Sequence, residues 1–164
     1  MAIHNVFISH YSGDVERMRR LKELLAKHDC DVRNSSAEED KGGVLKHRGH
    51  EVSNETIARY LRRGIKWAGA LIVIIGEHTH ERSWVNWEIK EAAQQGKQII
   101  GIYDLGCKND VELPEAYKRY GGSPIGWGSI DKLSDMLDGK VPVPEAPDCT
   151  PSGPIYNMIH IICQ

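Results

Sequence analysis

The run from Ala70 to Ile75, Ala-Leu-Ile-Val-Ile-Ile, is the feature that most restricts the fold of this chain. A strand with one face in water alternates apolar and polar residues, whereas every position of this run is apolar. It therefore predicts a strand that is covered on both faces, as in a parallel sheet flanked by helices. The whole apolar stretch, residues 68–76, is far shorter than the ~20 residues of a membrane helix, so we expect no membrane contact.

Strands and helices alternate along the rest of the chain. Apolar, β-rich runs predict strands at residues 3–9, 31–33, 70–75, 98–103 and 123–127. Helical spacing of apolar residues predicts helices at 14–27, 53–68, 84–95, 115–119 and 129–137. Ser53 and Ser83 are the expected caps of the second and third helices, and Gly96 is expected to end the third. This alternation predicts an α/β fold, an open parallel sheet with helices on both faces.

The length of 164 residues is that of one domain. We predict a domain over residues 1–139 and a proline-rich extension over 140–164, packed on that domain or appended to it. Residues 34–52 are polar, include Gly42-Gly43 and show no period. They predict a long loop, and long loops in compact domains are often functional.

Charge and cysteine content restrict the partners and the cellular location that we expect for the protein. The 21 Lys and Arg residues are balanced by 23 Asp and Glu residues, which argues against nucleic acid as a partner. The N-terminus lacks the basic and apolar regions of a secretory signal. The four cysteines form no close pair in the sequence, so we expect free thiols and a cytoplasmic location.

A first candidate site follows the first strand. Ligands of open α/β sheets bind beyond the carboxyl ends of the strands, where this chain has Ser9 and His10 before a helix N-terminus that could receive a phosphate. The segment contains neither a Gly-x-Gly-x-x-Gly loop nor a Walker-type Gly-Lys-Ser/Thr loop. Alternatively, Ser9, Ser12 and Asp14 serve only as turn and cap residues.

A second candidate site lies on the predicted third helix. Trp84 and Glu88 are one helical turn apart and project from the same side, with Trp87 beside both. This places a flat apolar surface next to one ionisable group, which suits a ligand with an aromatic base and sugar hydroxyls. In the alternative interpretation the tryptophans belong to the core and Glu88 is a solvated carboxylate.

The histidines form two close pairs, His47-x-x-His50 and His78-x-His80. Neither pair comes with a cysteine pair or a His-Glu-x-x-His frame, the patterns typical of zinc sites. We therefore interpret them as loop or surface residues and expect no metal.

Two blocks of the sequence resemble TIR (Toll/interleukin-1 receptor) domains. Val6-Phe7-Ile8-Ser9-His10 with Asp14 resembles their first box. The block 57–88, in which a helix and an apolar strand precede Ser83-Trp84 and Glu88, resembles their second landmark. The stretch 84–103 is similar to bacterial TIR-like proteins of the Thoeris anti-phage system. Two features differ from the family pattern: Val85 stands where many TIR domains have cysteine, and loop 34–52 lacks the usual Gly-x-x-Ile.

The resemblance implies a flavodoxin-like fold and an enzyme that cleaves the nicotinamide–ribose bond of NAD. It places the family's essential carboxylate on Glu88 and implies no cofactor, since NAD is the substrate. In Thoeris relatives, the TIR protein acts after phage infection and converts NAD into an ADP-ribose-derived signal, which we expect to be cyclic. That signal activates a separate effector protein. A phage-derived trigger and self-association of TIR domains are further expected partners.

A single carboxylate suffices for this chemistry. Most glycosidases use two carboxyl groups because an alkoxide leaving group must be protonated, but nicotinamide leaves NAD as a neutral molecule. We expect Glu88 to stabilise the ribosyl cation and Trp84 to stack on nicotinamide or an adjacent group. The remaining substrate contacts are predicted from the ends of the first two strands: Phe7, Ser9 and His10 as one wall, and Asn34 and Ser35 as polar contacts.

Two other functions are compatible with the same fold. A TIR domain without turnover would act as an interaction module, docking through loop 34–52 and neighbouring helices. A receiver-like protein would need an acidic cluster and a phosphorylatable aspartate at the end of a central strand. The first strand here ends in Ser9-His10, which disfavours a receiver.

Overall fold

A computed structural model describes residues 4–10, 15–28, 30–34, 37–39, 45–47, 50–51, 53–107 and 111–139. The predicted extension 140–164 and the predicted site residue Ser35 lie outside these ranges. The strands are β1 (His4–Ser9), β2 (Cys30–Asn34), β3 (Ala37–Glu39), β4 (Leu45–His47), β5 (His50–Glu51), β6 (Ala70–Ile75) and β7 (Gln98–Tyr103). The α-helices are α1 (Val15–Lys27), α2 (Asn54–Trp67), α3 (Ser83–Gln94), α4 (Glu115–Tyr120) and α5 (Leu133–Leu137).

Four of these strands form a parallel sheet in the order β2-β1-β6-β7. The first strand is central, and the chain moves outward from it in both directions, which is the strand order of flavodoxin-like folds. The predicted α/β fold class is therefore confirmed. The predicted last strand at 123–127 is wrong in extent: only Ile125 forms a bridge, parallel to Ile102 at the end of β7.

The prediction of an irregular loop over residues 34–52 is also wrong in part. The segment contains β3, β4 and β5, which form a separate antiparallel sheet in that order. These strands are only two or three residues long, so no alternation of apolar and polar residues could reveal them.

Two of the three predicted residues at helix ends, Ser53 and Gly96, are confirmed. The Ser53 hydroxyl accepts a hydrogen bond from the Thr56 amide at 3.3 Å, so the predicted cap of α2 is confirmed. Gly96 adopts a φ of +69° after α3, as expected of a glycine that ends a helix. The predicted cap Ser83 is instead the first residue of α3, and the N-cap position is Arg82, which makes no side-chain cap.

Helices cover the sheet on both faces and create two cores. Helices α2, α3 and α4 pack on one face against Phe7, Leu71 and Val73, which we call the α2–α3 face. Helices α1 and α5 pack on the other, the α1–α5 face, against Val6 and Ile8. The predicted helix 129–137 is a 3-10 helix over Trp127–Lys132 that continues into α5. None of the helices in the described ranges has the length and apolar character needed to cross a bilayer.

Candidate functional site

The end of β1 distributes its side chains between the two faces of the sheet. Because successive side chains of a strand point to opposite faces, Ser9 shares the α2–α3 face with Phe7, and His10 belongs to the other. Ser9 is fully buried, and its hydroxyl makes no hydrogen bond within the described part of the chain. Ser9 and His10 are therefore adjacent in sequence but line different surfaces.

Glu88 is buried on the α2–α3 face. It lies in α3 among the buried residues Val85, Ile89 and Ala92, and only 1% of its surface is exposed. Burying a carboxylate costs free energy that hydrogen bonds or a partner charge must offset. Acidic residues are almost never buried this deeply unless they are paired, and Glu88 is the one acidic side chain buried to this extent among the described residues, which makes it the main candidate for chemistry on this face.

Trp84 and Trp87 form the outer boundary of this region. Their rings pack edge to face, with centroids 5.3 Å apart and an angle of 64° between the planes. The Arg62 guanidinium lies 5.4 Å from the Trp87 ring centroid and donates through Nε to Glu91 at 3.0 Å. Trp84 is half-buried. Because helical side chains lean toward the N-terminus, Glu88 extends over the turn that carries Trp84.

Asn86 holds the surrounding segments together, a role that the sequence did not reveal. Its amide nitrogen donates to the carbonyl oxygens of His80 and Arg82, and its amide oxygen accepts from the Ala116 amide at 2.9 Å. One side chain thus joins the turn before α3 to the start of α4. An asparagine inside a predicted helix gives no sign of such contacts, because the partners are distant in sequence.

Phe7 and Asn34, two other predicted substrate contacts, lie in different environments. The Phe7 ring is 1% exposed and packs against Gly64 inside the core, where it presents no surface to a ligand. The backbone of Asn34 ends β2 directly opposite Ile8, so it lies at the same sheet edge as Ser9. Ser9, Glu88 and Trp84 thus belong to one face of the sheet, and Phe7 is buried in the core of the same face.

His10 lines a cavity of about 410 Å³ on the α1–α5 face. Burial, together with the nearby charge of Lys22 and against an opposing hydrogen bond to the Ile8 backbone, lowers the pKa of His10 to about 4. The imidazole is therefore neutral at pH 7. Neither Glu88 nor Trp84 belongs to the cavity lining, so the predicted wall of Phe7, Ser9 and His10 is divided between two faces.

Asp104 and Trp127, which sequence reasoning missed, also line this cavity. Asp104 directly follows β7, so the rule that ligands bind at the carboxyl ends of strands would have identified it. Trp127 follows the bridge at Ile125, which the sequence presented as part of a longer strand.

His78 and His80 each lie beside a carboxylate. His78 Nδ1 lies 3.5 Å from Glu81, and His80 Nε2 lies 3.6 Å from Glu112. In the part of the chain that the structure describes, no three or more His, Cys, Asp or Glu side chains are grouped so that they could hold a metal ion. The side chains of His47 and His50 lie outside that part.

Comparison with known families and proteins shows which family the chain resembles. The model of the TIR-like domain of the Thoeris protein ThsB matches residues 7–109, more than half of the chain. A Bacillus cereus (strain MSX-D12) protein, ThsB1, provisionally named a cyclic ADP-D-ribose synthase, is 29% identical over 98 residues. That alignment covers 60% of this chain and 50% of the relative, so the chain spans about half the length of the curated protein it matches.

Solved structures share the fold at low sequence identity. A conserved protein from Enterococcus faecalis V583 superposes with a TM-score of 0.58 at 10% identity, over 85% of this chain and all of the other. A prokaryotic SEFIR domain superposes with a TM-score of 0.50 at 18% identity, over 92% of this chain and 99% of that domain. These likenesses concern the arrangement of the sheet and helices.

Proposed function

The chain belongs to the TIR-like family of the Thoeris protein ThsB, and we propose from this premise that it cleaves the nicotinamide–ribose bond of NAD. The observation that carries the proposal is the burial of Glu88, a carboxylate with 1% of its surface exposed beside a half-buried indole. A buried acid lowers stability unless it is compensated, and sites that break the rules of core packing are commonly functional. The relative named as a cyclic ADP-D-ribose synthase supports the same reaction class.

The reaction needs one negative charge near the ribose. When the bond between ribose C1′ and the pyridinium nitrogen breaks, its electron pair goes to nitrogen, and nicotinamide leaves as a neutral molecule. Positive charge then develops on C1′ and the ring oxygen of the ribose. A fixed carboxylate in a water-poor setting stabilises that charge more strongly than it would in water. We assign this role to Glu88.

The neighbours of Glu88 suggest how substrate reaches it. Trp84 lies one turn before Glu88 and is half-buried, so a small displacement of its indole would open a path to the carboxylate. The same indole would then stack on the nicotinamide ring. The buried Ser9 hydroxyl, which has no hydrogen bond in the described ranges, is available for a ribose hydroxyl. We keep Asn34 and Ser35 as proposed polar contacts from the end of β2.

The nucleophile decides the product. If an atom of the same ADP-ribose attacks C1′, a cyclic nucleotide forms and a proton is released, whereas attack by water gives linear ADP-ribose. We propose the cyclic product as a diffusible signal that activates a separate effector protein. We further propose that a phage-derived component or self-association triggers the reaction in the cytoplasm.

The test follows nicotinamide and the nucleotide product together. Purified full-length chain is incubated with NAD, with and without lysate of phage-infected cells, and the products are separated by chromatography and identified by mass spectrometry. A cyclic product is lighter than linear ADP-ribose by one water. We expect Glu88→Gln to abolish release, whereas Glu91→Gln, one turn further along α3, releases nicotinamide at the wild-type rate. Equal release by wild type and Glu88→Gln would remove Glu88 from the mechanism.

The burial of Glu88 also favours a second candidate, an interaction module without turnover, because no ligand reaches the carboxylate unless neighbours move. Such a module would dock on another TIR surface through the segment 34–52. Deletion of residues 40–44 would then abolish association, while Glu88→Gln would leave signalling unchanged. Loss of signalling in Glu88→Gln with association intact contradicts the module and supports the enzyme.

A further inference from the structure

The side chain of Asn86 ties the residues before α3 to the first turn of that helix. The N-cap position of α3 is Arg82, which makes no side-chain cap, and the first helical residue, Ser83, is exposed. A helix start without a side-chain cap depends on other contacts to stay in place. Here the Asn86 amide nitrogen donates to the carbonyl oxygen of Arg82 at 3.2 Å and to that of His80 at 3.4 Å. These bonds take the place of the missing cap.

The orientation of the Asn86 amide is fixed by α4. Its Oδ1 accepts a hydrogen bond from the backbone amide of Ala116 at 2.9 Å. Ala116 is buried near the start of α4, whose N-cap residue Pro114 makes no side-chain cap. Because a backbone amide can only donate, it requires the oxygen of the Asn86 side chain, and the nitrogen must then face the two carbonyls. An asparagine supplies both groups that these partners need.

Trp84 lies inside the segment that these bonds close. Arg82 precedes it by two residues and Asn86 follows it by two, and the Asn86 backbone amide also donates to the Arg82 carbonyl at 3.2 Å. The Trp84 indole is held on one side by the Trp87 ring, with 5.3 Å between the centroids. The position of the Trp84 backbone, and with it the direction in which the indole points, therefore depends on the bonds of Asn86.

Glu88 is held in place by different interactions. The body of α3 is attached to the core of the α2–α3 face by Val85, Ile89 and Ala92, each of which is at most 3% exposed. This apolar packing keeps the backbone of Glu88 in position even when polar contacts at the helix start are lost. The two side chains that we assign to NAD cleavage, Trp84 and Glu88, can therefore be perturbed separately.

We propose that Asn86 is a positioning residue, which sets the Trp84 indole for stacking on the nicotinamide ring of NAD. The inference rests on the proposed NAD cleavage and adds a residue that touches neither the substrate nor the reacting bond. Stacking contributes equally to the binding of substrate and transition state, so its loss raises KM and leaves kcat nearly unchanged. A purely structural role predicts the opposite pattern, because a smaller folded fraction lowers the apparent kcat at constant KM.

Steady-state release of nicotinamide by the full-length chain, under conditions in which the wild type is active, tests the proposal with two variants. Asn86→Asp keeps an acceptor for the Ala116 amide but replaces the donor by an oxygen and adds a charge. Asn86→Ala removes both donor and acceptor and adds no charge. The lost donor is the change that the two variants share. We expect both to raise the KM for NAD about fivefold, within the range of one aromatic contact, and to keep kcat within about twofold.

A control variant and a second readout separate positioning from stability. Ile130→Val removes one buried methyl group on the α1–α5 face, so it lowers stability without touching α3 and should leave KM unchanged. Fluorine NMR of the full-length chain labelled with 5-fluorotryptophan needs no turnover. The Trp84 and Trp127 signals are identified by Trp84→Phe and Trp127→Phe. In both Asn86 variants the Trp84 signal should shift or broaden, while the Trp127 signal stays unchanged.

The outcomes distinguish this inference from the proposed function. A wild-type KM in both Asn86 variants, a lower kcat at constant KM, or an unchanged Trp84 signal contradicts the positioning role and leaves the role of Glu88 intact. If Asn86→Ala does not fold, Asn86→Asp decides, because it keeps the acceptor for the buried Ala116 amide. If Glu88→Gln releases nicotinamide at the wild-type rate while the Asn86 variants raise KM and move the Trp84 signal, the catalytic role of Glu88 is wrong and the positioning of Trp84 stands.

Discussion

The two faces of the sheet differ in how closely they are packed. On the α2–α3 face the helices approach so closely that a Cβ atom at Gly64 would lie 2.4 Å from the Phe7 ring, and one at Gly101 would lie 2.6 Å from Tyr117. On the α1–α5 face the packing ends at a cavity of about 410 Å³. The first face buries Glu88, and the second leaves His10 at the cavity surface.

This difference indicates how one strand can contribute to two surfaces. Ser9 and His10 are neighbours at the end of β1, but the alternation of side chains sends them to different environments. Burial keeps water away from the Glu88 carboxylate, as the proposed cation stabilisation requires. The looser α1–α5 face contains a cavity but holds no comparably buried acid among its described residues.

The largest expected effect is a loss of stability in acid, caused by His10 on the α1–α5 face. Its pKa is 6.5 when unfolded and about 4 when folded, so both states are neutral above pH 6.5. As the pH falls from 6.5 to 4, the unfolded state takes up the proton first, and the free energy of unfolding decreases by about 3 kcal/mol. Urea denaturation across this range should show a shallower decrease for His10→Asn. Parallel curves for the two proteins would contradict a buried neutral His10.

Packing on the α2–α3 face can be tested with a single methyl group. Gly64→Ala gains about 1 kcal/mol of helix propensity but forces the buried Phe7 ring to move, so we expect a net loss of about 2 kcal/mol. Gly69→Ala is the control, because its Cβ would meet only the Asn5 carbonyl oxygen at 3.8 Å. Thermal unfolding of Gly64→Ala, Phe7→Leu and the double variant measures their coupling. Additive effects would show that Gly64 and Phe7 are not in close contact.

A smaller effect is expected where α4 is attached to the same face. The Tyr117 hydroxyl accepts a hydrogen bond from the Gly101 amide at 2.9 Å, and burial raises the pKa of Tyr117. Tyr117→Phe leaves that amide without its acceptor, so we expect a loss of about 1.5 kcal/mol in urea denaturation. Tyr120→Phe removes an exposed hydroxyl and should change stability little. Equal effects of the two variants would argue against the buried hydrogen bond.

The sequence predicts the parallel sheet well because its signals are local. The apolar runs of β6 and β7 and the cap at Ser53 each depend on neighbouring residues, and each is confirmed. The separation of Ser9 from His10 also follows from strand alternation, although the predicted common wall ignored it. Asp104 could have been predicted from its place after β7, but the cavity as a whole could not, because Trp127 joins its lining only through the packing of distant segments.

The most direct test of the account is the release of nicotinamide by Glu88→Gln in a single turnover, with protein in excess over NAD under conditions in which the wild type is active. Excess protein makes the rate report bond cleavage and not product release. Loss of the carboxylate charge should slow release about 100-fold or more, as for other groups that stabilise charge in a transition state. A rate within about twofold of the wild type would contradict a catalytic Glu88 and leave its burial as a property of the fold.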